Sequence, residues 1–523
     1  MKKNLTLVLF ICLGLTSWAQ NITLFKSIDG DTTRRRIVRS LTTSKGDLVH
    51  LCEIEKAGNT DFSLVKVTPN GNILWQKVMG SAGTDGPNNF IQLKDGGFAL
   101  VGYTSETSAT SDGGDMFIIK TDSLGVPQWA KQFGGAGFEE AFGVTELNSG
   151  DIFVLGKTAS FSALSSHAVI GKFTANGELM WQKNYMFGKL ANYFFKGFQN
   201  GDTEILVCGY TYDGTTGFDP VFVRVTEEGA IVSTSRHKIN NFQIIYDWVR
   251  DADGSIYWAG TTTATAASSQ NVIGKVSPEG TAVWTKYFGT PRYDKAWDMV
   301  ILDNKELLIS GYVNKTASDQ SGRNGFIARI SPDGVFKEAM EFGSNSLSNT
   351  EFTGLAVSGN QAYATGLTYN GANYGAGISV QFNSLRFSES CNGIPLTMNT
   401  VDQNTTYSDV DTVFDGGDVS EPNIDFRDDD QVTQTICDVG IKELSKAENI
   451  YFYPNPSRGI YKAKFPTGEM RKISIYQANG SKVFTKIMMD QDVEINLEKY
   501  PSGLFKVLIS TEKEIYQTTI IKQ

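Results

Sequence analysis

The chain has 523 residues, of which 40% are hydrophobic and 20% charged, so it is too apolar to be disordered over its whole length. Glycine is abundant (53 residues) and proline scarce (13 residues), which favours tight turns between short strands over a helical bundle. The net charge of −10 disfavours a nucleic-acid partner, and three histidines and five cysteines are too few for a histidine-rich metal centre or a disulfide-dense scaffold.

The N-terminus has the pattern of a secretory signal. Lys2 and Lys3 precede the apolar run LTLVLFICLGL, and Ser17 and Ala19 are small residues at the positions where a signal peptidase requires them. We expect cleavage after Ala19, which makes residues 1–19 a signal peptide. A membrane-spanning helix needs about 20 apolar residues. Because no second apolar run follows, we expect no transmembrane segment in the mature chain.

Seven segments spaced by about 52 residues share an apolar strand followed by a polar turn, a period that indicates a repeat architecture. The segments are residues 62–68, 116–122, 168–174, 221–227, 271–277, 325–331 and 377–383. Each repeat also contains a second hairpin, most clearly FIQLKDGGFALVGYT at 90–104. Four short strands per repeat, repeated seven times, predict an all-β fold with a seven-bladed β-propeller over residues 20–385.

The phase of the repeat predicts how the ring closes. The strand ITLFKSI (22–28) aligns with the fourth strands of the repeats, with Phe25 in the column of Trp75. The seventh repeat has no fourth strand after residue 383, so we expect the N-terminal strand to complete the last blade. We also expect the tryptophans of the fourth strands to pack between blades. They are Trp75, Trp129, Trp181 and Trp284.

The repeat resembles bacterial propeller repeats built on the motifs W-x-K-x-x-G-G and D-G-G-F-x-x-x-G-x-T. Here these motifs run from Trp129 to Gly135 and from Asp95 to Thr104. The resemblance covers most of residues 21–385 and implies the fold. It does not imply one function, because such propellers serve many roles.

Residues 386–440 differ in composition, with twelve acidic residues against two arginines, a net charge of −10. We expect an acidic linker that acts as a solvated spacer. The alternative is a calcium site, since calcium prefers several carboxylates on one loop. Cys391 and Cys437 bracket the segment, and in an exported protein a disulfide between them is the simplest expectation, with an intermolecular partner as the alternative.

The last part of the chain, residues 441–523, reads as a small all-β domain of period-2 strands separated by Asn-Gly and Pro-Ser-Gly turns. Its ordered motifs resemble the type A C-terminal sorting domain of the type IX (Por) secretion system. The sorting motif is formed by Pro454, Asn455, Pro456, Ser457 and Gly459. The resemblance implies that the type IX machinery is a partner, and that the chain crosses the outer membrane through the periplasm to be released or held at the surface. The alternative is an ordinary β-sandwich interaction module.

Several carboxylates enter the first strand of a repeat from the preceding loop, where one mouth of a propeller channel would lie. Asp85, Glu139 and Asp294 recur at the same offset, which favours a structural bond to the loop backbone, but they are also our candidate ligand-binding residues. Glu140, Asp247 and Asp298 belong to the same region. A pair of carboxylates about 5–9 Å apart could cleave a glycoside. We assign no catalytic or metal-binding residue.

Together these observations predict a secreted or surface-attached binding protein whose ligand is an extracellular protein or glycan. The alternative is a polysaccharide-acting hydrolase or lyase that uses carboxylates at the channel mouth. We expect no cofactor, apart from the calcium alternative in the acidic linker.

Overall fold

The structure is a computed structural model. It describes residues 21–523 except 28–33, 57, 70–72, 106–113, 136, 161–165, 188–189, 213, 215–216, 239–242, 266–267, 316–321, 343–348, 370–374, 386–392, 397–398, 404–405, 409–411, 416–417, 421–424, 428–430, 439–444, 447–451, 465–470, 478–481, 489–491 and 511–514. Strand β1 and the strands between 393 and 446 are described by their backbone. The expected signal peptide, 1–19, with its cleavage site at Ala19, lies outside the described residues.

All regular structure in the described residues is β-strand, so the expected all-β class is confirmed. None of the described residues forms a helix that is long and apolar enough to cross a membrane. Contacts divide the chain into one unit that ends at residue 438 and another that comprises residues 439–523.

The first unit contains seven antiparallel sheets, each built around four strands of one sequence repeat. Sheet 1 contains β2 (Arg34–Thr42), β3 (Leu48–Lys56), β4 (Asn59–Val67) and β5 (Ile73–Gly80); sheet 2 contains β6 (Asp85–Gln92), β7 (Phe98–Thr104), β8 (Asp115–Thr121) and β9 (Pro127–Gly134); sheet 3 contains β10 (Glu139–Glu146), β11 (Ile152–Thr158), β12 (His167–Phe173) and β13 (Leu179–Met186). Sheet 4 contains β14 (Ala191–Asn200), β15 (Glu204–Tyr212), β16 (Phe218–Thr226) and β17 (Ile231–Lys238); sheet 5 contains β18 (Gln243–Arg250), β19 (Ile256–Thr265), β20 (Ser268–Val276) and β21 (Ala282–Gly289); sheet 6 contains β22 (Asp294–Ile301), β23 (Leu307–Asn314), β24 (Arg323–Ile330) and β25 (Phe336–Phe342).

Sheet 7 combines strands from both ends of the unit. It contains β26 (Thr350–Ser358), β27 (Gln361–Tyr369), β28 (Gly375–Asn383) and, in fourth place, β1 (Asn21–Ser27). β1 runs antiparallel to β28, with Phe25 opposite Gly377. The N-terminal strand therefore occupies the position that the phase of the sequence repeat predicts.

The acidic segment adds a fifth strand to every sheet. Its composition had predicted a solvated spacer without such strands. We call its seven short strands the belt. They pair with the outer strands of sheets 6, 5, 4, 3, 2, 1 and 7 in that order, opposite to the order of the repeats. The belt strands are β29 (Gly393–Leu396), β30 (Asn399–Gln403), β31 (Thr406–Ser408), β32 (Thr412–Asp415), β33 (Asp418–Ser420), β34 (Asp425–Arg427) and β35 (Gln431–Asp438). Pairing covers the exposed edge of each sheet, because an outer strand carries unpaired backbone groups.

Each sheet packs on the next, and the order of packing closes on itself. The first strand of each sheet contacts strands of the preceding sheet, and β2 of sheet 1 contacts β26, β27 and β28 of sheet 7. At this closure Thr42 Oγ1 donates to the Val357 carbonyl at 2.6 Å. Large apolar side chains fill the layers between sheets; Phe62 of sheet 1 stacks on Phe117 of sheet 2 with ring centroids 5.0 Å apart. Full burial of such a side chain contributes about 1.5–3 kcal/mol.

The tryptophans of the outer strands pack between sheets, as expected. Trp75 lies half-buried against the apolar layer between sheets 1 and 2. The turn of the next repeat covers its ring: Gly125 has a φ of +76°, and a Cβ at this position would lie 2.7 Å from the ring. Glycine is required there both by the positive φ and by the close approach. The same contact joins Trp129 to Gly177, Trp181 to Gly229 and Trp284 to Gly334.

The second unit is a two-sheet sandwich. Its larger sheet contains β36 (Ser445–Lys446), β43 (Ile515–Lys522), β42 (Gly503–Ser510), β39 (Arg471–Gln477) and β40 (Lys482–Met488). Its smaller sheet contains β37 (Phe452–Tyr453), β38 (Ile460–Lys464) and β41 (Asp492–Asn496). The core joins Tyr461 and Ile495 of the smaller sheet to Ile475 and Val507 of the larger one. Alternating buried and exposed residues in β38 and β41 fit this one-sided packing.

Candidate ligand-binding site

The first strand of every sheet has a register shift at the same position. In sheet 6, for example, the pairing skips Trp297 between Ala296 and Asp298. A β-bulge of this kind places two residues opposite one and turns a side chain out of the regular pleat. In all seven sheets the residue before the bulge is buried and the bulged residue is half-buried. The bulged residues are Val38, Asn88, Phe142, Phe195, Tyr246, Trp297 and Thr353.

Four consecutive bulged residues, from sheets 3 to 6, are aromatic. Phe142 stacks on Phe195 with centroids 4.6 Å apart, and Tyr246 contacts Trp297 at 4.5 Å. Two tyrosines of sheet 4 extend the group, and Phe195 lies 4.8 Å from one of them, Tyr210. We call the six residues the aromatic cluster: Phe142, Tyr193, Phe195, Tyr210, Tyr246 and Trp297. All six residues are half-buried and come from four neighbouring sheets, so part of each ring remains accessible to solvent.

Two lysines lie over rings at the two ends of the cluster. Lys157 Nζ is 5.8 Å from the Phe142 ring centroid and 5.4 Å from that of Tyr193, and it pairs with the Glu140 carboxylate at 3.1 Å. Lys295 Nζ is 3.8 Å from the Trp297 ring and 4.5 Å from the Tyr246 ring. Burial lowers the pKa of Lys295 to about 8. Cation–π contacts of this kind hold each ammonium group at the apolar surface.

A network of four charged groups lies next to the aromatic cluster, one residue further along the first strands. Lys196 Nζ of sheet 4 pairs with Asp247 of sheet 5 at 2.9 Å, and the Arg39 guanidinium of sheet 1 pairs with Asp298 of sheet 6. Arg39 also donates to the Tyr246 carbonyl at 3.4 Å. Sheets 1 and 6 are not neighbours in the packing order, so these contacts bring first strands together across the middle of the unit.

A buried charge is stable only when a charge of opposite sign lies nearby, and in this network two cations balance two carboxylates. Asp247 and Asp298 also accept backbone N–H groups, from Met299 at 3.2 Å and Leu355 at 2.6 Å. Burial raises the pKa of Asp298, and the neighbouring Asp247 charge raises it further. Burial acts in the same direction on Asp247, but Lys196 and Arg39 outweigh it and lower the pKa of Asp247. The network therefore fixes the first strands beneath the aromatic cluster.

The three carboxylates chosen from the sequence as ligand-binding candidates are fully buried in three different sheets. The Asp85 carboxylate accepts the Ser81 N–H of its own loop, and Glu139 accepts the Gly135 N–H at 2.9 Å. Asp294 accepts the Thr290 N–H at 2.6 Å, and burial raises its pKa to about 7. Each carboxylate braces the loop that leads into a first strand. Of the remaining carboxylates, Glu140 pairs with Lys157 beside the aromatic cluster, and Asp247 and Asp298 belong to the neighbouring charged network.

Other potentially reactive groups do not assemble into a site. Cys52 and Cys208 are buried thiols in different sheets and form no disulfide. Burial raises the pKa of Cys52 to about 12, so the thiol stays protonated, as expected for a packing residue. Within the described residues no group of three or more His, Cys, Asp or Glu side chains could hold a metal ion. Cys391 and the side chain of Cys437 lie outside this description, as do the acidic side chains of the calcium alternative.

The sorting motif forms a turn that is fastened to the last strand of the chain. Asn455 Nδ2 donates to the Thr519 carbonyl at 3.0 Å, and Asn455 Oδ1 accepts the Ile521 N–H at 2.8 Å. Ser457 N–H donates to the Ile521 carbonyl at 3.0 Å. Gly459 has a φ of +128°, a conformation that favours glycine. Pro454 and Pro456, both preceded by cis peptide bonds, complete the turn.

Residues 451–523 match the family described as the secretion system C-terminal sorting domain. This domain makes the chain a type IX secretion substrate that interacts with that machinery and is exported to the cell surface or released. A search of curated proteins finds no match.

Comparison with solved structures finds an ulvan lyase of polysaccharide lyase family PL25, with 12% identity and a TM-score of 0.40 over 68% of this chain and 96% of the lyase. It also finds two mutants of the apocarotenoid oxygenase of Synechocystis, with 9% and 10% identity and TM-scores of 0.36 and 0.35. Each of these matches covers 75% of this chain and 96% of the oxygenase. Likeness at this level carries no functional argument.

Proposed function

We propose that this chain is an exported glycan-binding protein whose ligand contacts the aromatic cluster. The observation that carries the proposal is the run of four aromatic bulged residues in consecutive sheets, with Tyr246 and Trp297 at one end. The apolar face of a sugar ring packs on aromatic rings, and neighbouring polar groups fix its orientation. The six side chains are half-buried, so each ring offers part of its surface to a ligand such as a sugar ring.

The proposal includes the architecture that the repeat predicts. We take the seven sheets as the blades of a seven-bladed β-propeller, with the first strands at the channel and the belt on the outside. Three observations support this: the cyclic order of packing, β1 in sheet 7, and the contact between Arg39 and Asp298. The proposed export route also includes cleavage after Ala19, which removes residues 1–19.

One observation favours the alternative, a polysaccharide-acting hydrolase or lyase. Lys295 lies at the aromatic cluster, and burial lowers its pKa to about 8, so a fraction of the side chain is a neutral amine near neutral pH that can accept a proton. The carboxylates expected to act in such an enzyme, Asp85, Glu139 and Asp294, are instead bonded to their own loops. A reducing-sugar assay and an absorbance assay for unsaturated products, on any glycan that binds, distinguish the enzyme from a binding protein.

The direct test of glycan binding is a microarray of extracellular polysaccharide fragments probed with the mature chain. We expect saturable binding to a defined class of fragments. Absence of binding to every fragment, by a chain with intact circular dichroism, would contradict the proposal. A pull-down from culture medium then shows whether a protein ligand takes the place of a glycan.

Export has a separate test. Deletion of residues 449–523 removes the sorting motif and the strand β43 that holds it. We expect the truncated chain to accumulate in the periplasm, while the full chain in the same cells reaches the surface or the medium. Normal surface delivery of the truncated chain would show that another segment directs export.

A further inference from the structure

Within the described residues Lys295 has no carboxylate partner, unlike the other cations near the aromatic cluster and the charged network. Lys157 pairs with Glu140, Arg36 with Glu53 at 2.7 Å, and the Arg323 guanidinium with Glu351. Arg39 and Lys196 are paired in the network beneath. Among the described residues the Lys295 ammonium group forms no ion pair and no hydrogen bond, and it lies over the Tyr246 and Trp297 rings.

The surroundings of Lys295 place its ammonium group at the aromatic surface. Lys295 lies opposite Tyr312 in β23, and the Arg323 guanidinium lies over the Tyr312 ring at 4.4 Å. The charged groups that influence Lys295 are Glu351, which stabilises its positive charge, and Arg323, which opposes it. Because Glu351 is engaged by Arg323, the positive charge of Lys295 is left without a direct counterion in this part of the structure.

We propose that Lys295 is an anion subsite, and that the ligand of the aromatic cluster is an acidic glycan whose carboxylate or sulfate group pairs with the Lys295 ammonium. The inference rests on the proposed glycan-binding function and specifies its ligand. The sugar ring packs on Tyr246 and Trp297, and its anionic group lies beside the lysine. A charge-assisted pair of this kind is stronger in a half-buried apolar site than in water.

Isothermal titration calorimetry of the mature chain tests the proposal with three tetrasaccharide-length probes. Oligogalacturonate supplies carboxylates, oligo-carrageenan supplies sulfates, and carboxyl-reduced oligogalacturonate has the same sugar backbone without charge. The variant is Lys295→Met, which keeps an unbranched apolar side chain over Trp297. The matched control is Lys183→Met, because Lys183 lies 5.6 Å over the Trp181 ring on the outer strand β13.

We expect at least one anionic probe to bind the wild-type chain about tenfold more tightly than the neutral probe, which is the effect of one charged hydrogen bond. Lys295→Met should remove this preference, Lys295→Arg should keep it, and Lys183→Met should leave it unchanged. The preference should also decline as the pH rises through 8, where Lys295 loses its proton.

The outcomes separate this inference from the function on which it rests. Equal binding of neutral and anionic probes, or a preference that survives Lys295→Met, would overturn the anion subsite and leave glycan binding standing. Absence of binding to all three probes and to the glycan array would overturn both. If Lys295→Met loses all binding and its circular dichroism is altered, the variant has misfolded and Lys295→Arg decides the question. A folded Lys295→Arg variant that lacks the preference for anionic probes overturns the subsite.

Discussion

Ile22 of β1 lies opposite Cys437 of β35, so the two ends of the seven-sheet unit are neighbouring strands of one sheet. β1 is bordered on its other side by β28, where Ile22 faces Val380. Closure therefore depends on three segments that are far apart in the chain. β1 therefore has strand partners on both sides and leaves neither of its edges exposed.

A proline in β1 should destabilise the unit more than a proline in the belt. Thr23 is paired on both sides, with Ser379 and Thr435, whereas Val419 of β33 has a partner on one side, Phe133. Proline removes a backbone donor, and a lost buried hydrogen bond costs about 1–3 kcal/mol. We expect Thr23→Pro to lower the free energy of unfolding in urea by about this amount and Val419→Pro to lower it less. Equal effects would argue against β1 as the closing strand.

Removal of the belt should promote association. Without residues 386–438 the outer strands of all seven sheets would lose their fifth-strand partners, and exposed strand edges pair with other chains. We expect a chain with this segment replaced by a short Gly-Ser linker to form oligomers and to melt at a lower temperature. Light scattering and differential scanning calorimetry measure both effects. A monomer of unchanged stability would contradict the structural role of the belt.

The disulfide between Cys391 and Cys437 stays a prediction, and the belt gives it a specific consequence. Residue 391 lies two positions before β29 on sheet 6, and Cys437 is in β35 on sheet 7, the next sheet in the packing order. A disulfide would therefore join the two ends of the belt, which pairs with all seven sheets in between. We expect non-reducing peptide mapping of the exported chain to find this pair, and reduction to lower the melting temperature. Two unmodified thiols, or a dimer linked through either cysteine, would refute it.

Asp294 should make stability depend on pH. Burial raises its pKa to about 7 from an ordinary value near 3.9, so the folded state retains this proton more tightly than the unfolded chain. The tighter binding of this proton therefore adds to the free energy of unfolding below about pH 4, and this contribution is lost as the pH rises through 7. Asp294→Asn cannot ionise, so the free energy of unfolding of the variant minus that of the wild type should increase by about 1–4 kcal/mol between pH 4 and pH 8. If the difference between the two free energies of unfolding stays constant from pH 4 to pH 8, the raised pKa of Asp294 is contradicted.

The repeat strands were predictable because their pattern is local. Each repeat carries its own turn glycines and apolar strands, and the place of β1 followed from the missing fourth strand after residue 383. The belt was not predictable in this way. Its strands are short, as in Thr406–Ser408, and lie in an acidic segment with little apolar pattern. The belt strands form where a strand that is distant in sequence has unpaired backbone groups along one edge. The composition of the acidic segment does not indicate where such an edge lies.

The aromatic cluster had a signal in the sequence that a search for carboxylates overlooked. Phe142, Phe195, Tyr246 and Trp297 are spaced by 53, 51 and 51 residues, the period of the repeat. Their recurrence alone could not distinguish these four aromatic residues from core residues. Their partial exposure depends on a β-bulge, and the sequence pattern does not predict where a bulge occurs. The recurrence of Asp85, Glu139 and Asp294 did favour a bond to the loop backbone, and these are the bonds that the structure contains.

The measurement that tests the central claim most directly is the affinity of the strongest array ligand for Trp297→Ala, with Trp284→Ala as its control. Trp297 belongs to the aromatic cluster, whereas Trp284 is a half-buried tryptophan on the outer strand of sheet 5. We predict that Trp297→Ala weakens binding at least tenfold in calorimetry, equivalent to about 1.4 kcal/mol. Trp284→Ala should lower the melting temperature and leave the affinity unchanged. Full affinity in a folded Trp297→Ala variant would contradict the account.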